Sequence, residues 1–154
     1  MEDVLGMVKT LEISQLISEI HNKIVKAYAL SGELDDVEFS VGRMLQNGVI
    51  FSCPKVVEAI ISCYFHHKSY NMLELFLNRI KEVYKLAYTT YDLLLTEYAK
   101  SGQYEKLQAV VERMKEVGFT PSSAIIQNLQ YLEQTEKVEQ DFRGFNRQSI
   151  ENPS

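Results

Sequence analysis

An all-α fold, a solenoid of about three helix-turn-helix repeats with partial repeats or capping helices at its ends, is what this chain of 154 residues predicts. Three observations predict it. Tyr28, Tyr64 and Tyr98 recur at intervals of 36 and 34 residues. The apolar residues around each tyrosine fall at helical spacing. Glycines punctuate the outer copies at matching places, Gly32 and Gly48 in one, Gly102 and Gly118 in the other. A unit of this size cannot cover its own apolar face, so neighbours must stack, and a stacked row offers a long wall that binds something extended.

The clearest unit runs from Thr89 to Ser122. Tyr91, Leu94, Leu95 and Tyr98 stand at i, i+3, i+4 and i+7, one face of a first helix. Gly102 ends that helix, because glycine tolerates the left-handed conformation common just past a helix terminus. Leu107, Val110, Val111 and Met114 form the stripe of a second helix, with Lys106, Glu112, Arg113, Lys115 and Glu116 mostly on its other side. Gly118 stops it, and Pro121 biases the residue before it away from helix, so the next unit starts on a new axis.

The same grammar recurs upstream. In the first copy Tyr28, Gly32, Met44 and Gly48 match Tyr98, Gly102, Met114 and Gly118. The middle copy keeps Tyr64, Tyr70, Leu73 and Ile80 but has Lys68 and Tyr84 where the others have glycine, which predicts strained or differently shaped turns. The resulting division is 1–17 as a partial helix or N-terminal cap, 18–53, 54–87 and 88–122 as three repeats, 123–140 as a C-terminal capping helix, and 141–154 as a flexible tail. In the cap, Ile125, Leu129 and Leu132 are expected to face inward. Val4, Leu5, Met7, Val8, Leu11 and Ile13 resemble the second helix of an earlier, truncated unit, so the chain is expected to begin in mid-repeat.

Composition excludes several classes. Hydrophobic residues at 45% and charged residues at 24% are ordinary for a soluble fold, and no run approaches the roughly 18 apolar residues of a membrane span. Cys53 and Cys63 suggest buried, reduced thiols rather than a disulfide framework. Cys63, His66 and His67 have metal-ligand spacing, but a closed zinc site needs four ligands, so packing is the better reading. His21 stands alone and is expected to line a groove, and the three recurrent tyrosines are expected to be core. No phosphate loop or nucleophile elbow is present, and no cofactor is implied. Sixteen Lys and Arg against 21 Asp and Glu give a net charge of −5, unusual for a nucleic-acid binder and a motive for an alternative reading as a protein-binding scaffold.

Tyr91, Tyr98, the Ala-Lys-Ser-Gly-Gln turn at Ala99 to Gln103 and the Met-Lys-Glu-Val-Gly-Phe-Thr-Pro run at Met114 to Pro121 together resemble the consensus of the pentatricopeptide repeat family. The tetratricopeptide repeat, of similar length, carries a Trp and a Leu-Gly pair in its first helix, and this chain has neither. The resemblance implies P-type repeats in a right-handed solenoid, in a short or truncated plant member. It also implies single-stranded RNA as partner, a non-catalytic role in organelle RNA processing, splicing, stability or translation, and a chloroplast or mitochondrial location. A transit peptide is not visible, since Glu2, Asp3, Glu12 and Glu19 oppose an Arg-rich, acid-poor leader. Such repeats read about one base each with two or three side chains. Carried onto this chain, the reading positions are Asn22 with Ser52, Glu58 with Ala87, and Asp92 with Ser122, with Gln127 as a further contact. Lys23, Lys26, Lys55 and Lys100 are the candidate phosphate contacts. A homodimer or a repeat-bearing enzyme separated from its catalytic domain are the other readings weighed.

Overall fold

The computed structural model describes residues 4–127, 129–131 and 134, and it is all helical, with no strand among them. Six helices follow one another: α1 (Val4–Leu30), α2 (Leu34–Gln46), α3 (Pro54–His66), α4 (Tyr70–Ile80), α5 (Tyr88–Lys100) and α6 (Tyr104–Glu116). A further helical segment covers 123–127. The chain divides into two compact units, Met1–Leu94 and Leu95–Ser154.

In the first unit α1 packs against both α2 and α3, α2 against α3, and α3 against α4, the pattern of successive hairpins stacking through their first helices. Its core is aliphatic and aromatic: Val25, Val37, Val41, Met44, Ile60, Ile61, Leu73, Phe76 and Ile80 are all essentially inaccessible. Pro54 at the first turn of α3 needs no N–H partner there and presets the helical φ. The Phe51 ring meets Phe76 and Tyr84 edge-on at 6.2 and 5.8 Å, tying the loop before α3 to the far side of the second hairpin. In the second unit Leu95, Tyr98, Leu107, Val111, Met114 and Ile125 are the buried apolar side chains among the described residues.

The repeat register is written in the backbone. After each first helix the same bond closes the turn: Glu33 N–H to Tyr28 O at 3.0 Å, Ser69 N–H to Tyr64 O at 3.0 Å, and Gln103 N–H to Tyr98 O at 2.9 Å. The three tyrosines therefore hold one structural position, the residue whose carbonyl is capped across a left-handed residue. Those left-handed residues are Gly32, Lys68 and Gly102, with φ of 73°, 54° and 72°. Lys68 confirms the strain expected where the middle copy lacks glycine. After the second helices, Val49 N–H to Met44 O and Phe119 N–H to Met114 O repeat the motif around Gly48 and Gly118. Tyr84 takes another route: its N–H, like that of Val83, returns to Ile80 O, so the chain makes a tight turn over 81–83 and needs no left-handed residue.

Two expectations need correction. Tyr64 and Tyr98 are buried, but Tyr28 is 37% exposed, because α1 has no earlier helix packed on that side among the described residues. Cys63 is buried as expected, whereas Cys53 is only partly covered. Helix α1 also runs unbroken for 27 residues through positions 17 and 18, with neither proline nor glycine between Met7 and Leu30 to stop it. Leu132 and residues 135–154, on which the rest of the expected capping helix and the expected tail fall, lie outside the described residues.

Candidate nucleic-acid interface

Asn22 and Ser52 come together, by a contact that the sequence does not announce. The Asn22 side chain is 2% exposed. Its amide donates to Ser18 O at 2.8 Å and to Ile50 O at 2.9 Å, and its carbonyl oxygen accepts from Ser52 N–H at 2.9 Å. Both amide hydrogens are thus used, and Asn22 clamps the loop before α3 onto α1. Ser52 itself is exposed. The signal for this clamp was an asparagine inside an apolar helix face, since a buried amide must find partners.

The remaining reading positions are accessible to different degrees. Glu58 on α3, Ala87 just before α5, and Asp92 on α5 are half-buried. In the second unit Ser122 is half-buried and its hydroxyl accepts from Ile125 N–H at 3.4 Å at the start of the last helical segment, while Gln127 is exposed. Of the candidate phosphate contacts, Lys23 and Lys55 are exposed, Lys26 is half-buried, and Lys100 is exposed with its ammonium 3.7 Å from Glu97. An exposed pair of that kind is weak and leaves the lysine free to exchange partners.

Cys53 occupies the N-cap of α3. The nearby backbone N–H of Val56, helped by Lys55 N–H, Ser52 and the Lys26 charge, draws its thiol below the ordinary value against the opposing effect of burial. Burial alone pushes Cys63 up. The Tyr64 hydroxyl donates to Glu38 Oε1 at 3.3 Å, and burial followed by that carboxylate holds the phenol well above its usual range. Tyr64 is therefore a neutral strut between α3 and α2. His67 Nε2 lies 2.7 Å from Gly32 O and joins the first two turns. Among the described residues no three His, Cys, Asp or Glu side chains gather as a metal site, and no helix is long and apolar enough to cross a membrane.

Sequence reading missed the surface of α1. An open groove of about 830 Å3 lies between its first half and the α2–α3 loop, lined by Val8, Leu11, Ile17, His21, Val49 and Ile50 among others. His21 lines it, as expected of a lone histidine. On the opposite side of α1, Ile13, Leu16, Ile20, Ile24 and Tyr28 are exposed. Their spacing was visible in the sequence, but it reads equally as a packed helix face until a neighbour is found or missed.

Successive helical hairpins with a recurring turn geometry define a helical-repeat protein. Residues 84–125 match the pentatricopeptide repeat domain model, over the stretch that holds Tyr91, Tyr98, Gly102, Met114 and Gly118. That segment carries a pentatricopeptide repeat, the unit of a family whose members usually bind RNA and are generally non-catalytic. No curated protein matches the chain at a significant level.

Proposed function

We propose that this chain is a non-catalytic, single-stranded RNA-binding protein that acts in organelle RNA processing, splicing, stability or translation, in a chloroplast or mitochondrion. The observation that carries the reading is the pentatricopeptide match at 84–125, which spans both Asp92 and Ser122. In this reading Asp92 with Ser122 and Glu58 with Ala87 address one base each. Asn22 acts by fixing the backbone at Ser52, so that the exposed serine makes the first contact, and Gln127 adds a last one. Lys23, Lys26, Lys55 and Lys100 supply the positive charge that offsets the phosphates within an acidic chain. Carboxylates at two reading positions accept from exocyclic amines and disfavour bases that present only acceptors.

Fluorescence anisotropy with four labelled homopolymeric RNAs tests it. Asp92→Asn and Ser122→Ala should each change the ratio of affinities between bases by about tenfold, or about 1.4 kcal/mol. Binding of wild type with no base preference that either substitution alters refutes the assignment of these positions. Saturable binding of a protein segment with no RNA binding favours the scaffold reading that the −5 charge motivates.

A further inference from the structure

The middle repeat departs from the outer two at two linked positions. Ser52 and Ser122 put a hydroxyl at the last reading position of the outer copies, four residues after Gly48 and Gly118. The middle copy has Ala87 there, a methyl group that neither donates nor accepts, and Tyr84 in place of the glycine. The copy that lacks the serine hydroxyl is thus the copy that carries a phenol three residues before the same position.

The fold brings that phenol to the reading positions. The tight turn over 81–83, closed by Tyr84 N–H to Ile80 O at 2.8 Å, leaves the Tyr84 ring edge-on to Phe51 at 5.8 Å. Phe51 is buried and directly precedes the exposed Ser52 and the Cys53 N-cap of α3. Burial, and after it the charges of Cys53 and Glu58, push the phenol up, the behaviour of a hydroxyl that lies near both. Tyr84 is half-buried, and its hydroxyl makes no hydrogen bond among the described residues. A ring anchored on Phe51 with its polar tip unspent is placed to meet a ligand at that tip.

We infer that the Tyr84 hydroxyl contacts the base addressed by Glu58, in the role that Ser52 and Ser122 have in the outer copies; this rests on the RNA reading proposed above. The two groups define the base. The Glu58 carboxylate only accepts, and it takes an exocyclic amine, while the phenol donates to the ring nitrogen beside that amine, N1 of adenine or N3 of cytosine. Uracil presents a carbonyl oxygen where those bases carry the amine, and the carboxylate repels it. The middle repeat therefore selects adenine or cytosine over uracil.

Fluorescence anisotropy of the full chain with labelled oligoadenylate, oligocytidylate and oligouridylate tests the contact. Tyr84→Phe keeps the ring on Phe51 and removes only the oxygen, so Tm stays within about 2 °C of wild type. Affinity for the adenine and cytosine strands falls about fivefold relative to the uracil strand, the loss of one neutral hydrogen bond. The same substitution keeps that effect in an Asp92→Asn background and loses most of it in a Glu58→Ala background, because only Glu58 shares its base. A wild type that binds RNA with a ratio indifferent to Tyr84→Phe, an effect undiminished in the Glu58→Ala background, or a larger fall in Tm that marks the hydroxyl as structural overturns this inference and leaves the RNA reading standing. A wild type that binds none of the three strands overturns both.

Discussion

Replacing Asn22 with alanine separates a structural clamp from a base-reading side chain. The substitution deletes three hydrogen bonds, two donated to Ser18 O and Ile50 O and one accepted from Ser52 N–H. A neutral hydrogen bond contributes about 0.5–1.5 kcal/mol net, and a buried group left without a partner costs about 1–3 kcal/mol. Here the freed loop groups are not sealed from solvent, since Ile50 and Ser52 are exposed and water can reach them, and Ser18 O keeps its place in the helix. The lower part of the range therefore applies, about 1–3 kcal/mol in all. For a domain of this size that lowers Tm by roughly 2–12 °C, at 2–4 °C per kcal/mol. Asn22→Asp should do at least as much harm, because a carboxylate still accepts from Ser52 N–H but sets its second oxygen against carbonyl oxygens. Differential scanning calorimetry at neutral pH reads both. An Asn22→Ala protein that melts within about 1 °C of wild type refutes the clamp, since no count of the three bonds gives so small a change.

Other expected outcomes follow from single sites. Lys68→Gly removes a left-handed lysine, φ 54°, and relief of about 1–2 kcal/mol of backbone strain outweighs the added chain entropy, so Tm rises by a few degrees; a fall contradicts the strained turn. Thr90→Val should stabilise by about 1 kcal/mol in urea unfolding, because the Thr90 hydroxyl is wholly buried with no partner and the two side chains share a shape; destabilisation means the hydroxyl is bonded. Cys53 is expected to be alkylated by iodoacetamide at lower pH than a free thiol, and Cys63 to resist until the chain unfolds, as read by mass spectrometry of the two peptides; equal rates refute the contrast. With a folded pKa below the unfolded one, the Cys53 contribution to stability is present above the ordinary thiol range and lost as pH falls through its lowered value.

The repeat was legible because glycine and the residues three to four before it carry backbone meaning. Gly102 and Gly32 announce left-handed caps, and once those are placed, Tyr98 and Tyr28 must occupy one position whatever surrounds their rings. Lys68 obeyed the same template against its own preference, so the stacked neighbours outweigh a local cost of about 1–2 kcal/mol. Tyr84 did not, because a tight turn over 81–83 was open to it. Burial was less legible than register. Tyr28 and Tyr64 have the same spacing to their neighbours, and only the packing partner, α1 on α3, makes one core and leaves the other in water. Asn22 shows the complementary limit: its sequence position suggests a side chain offered to a ligand, while two of the three partners of its amide group lie 28 and 30 residues away, a distance no local pattern encodes.

The ionic-strength dependence of single-stranded RNA binding tests the central claim most directly. Three repeats neutralising about three phosphates predict weak, saturable binding whose log affinity falls with log salt at a slope near −2. Absence of binding even at low salt, or binding with no dependence on salt, contradicts the account.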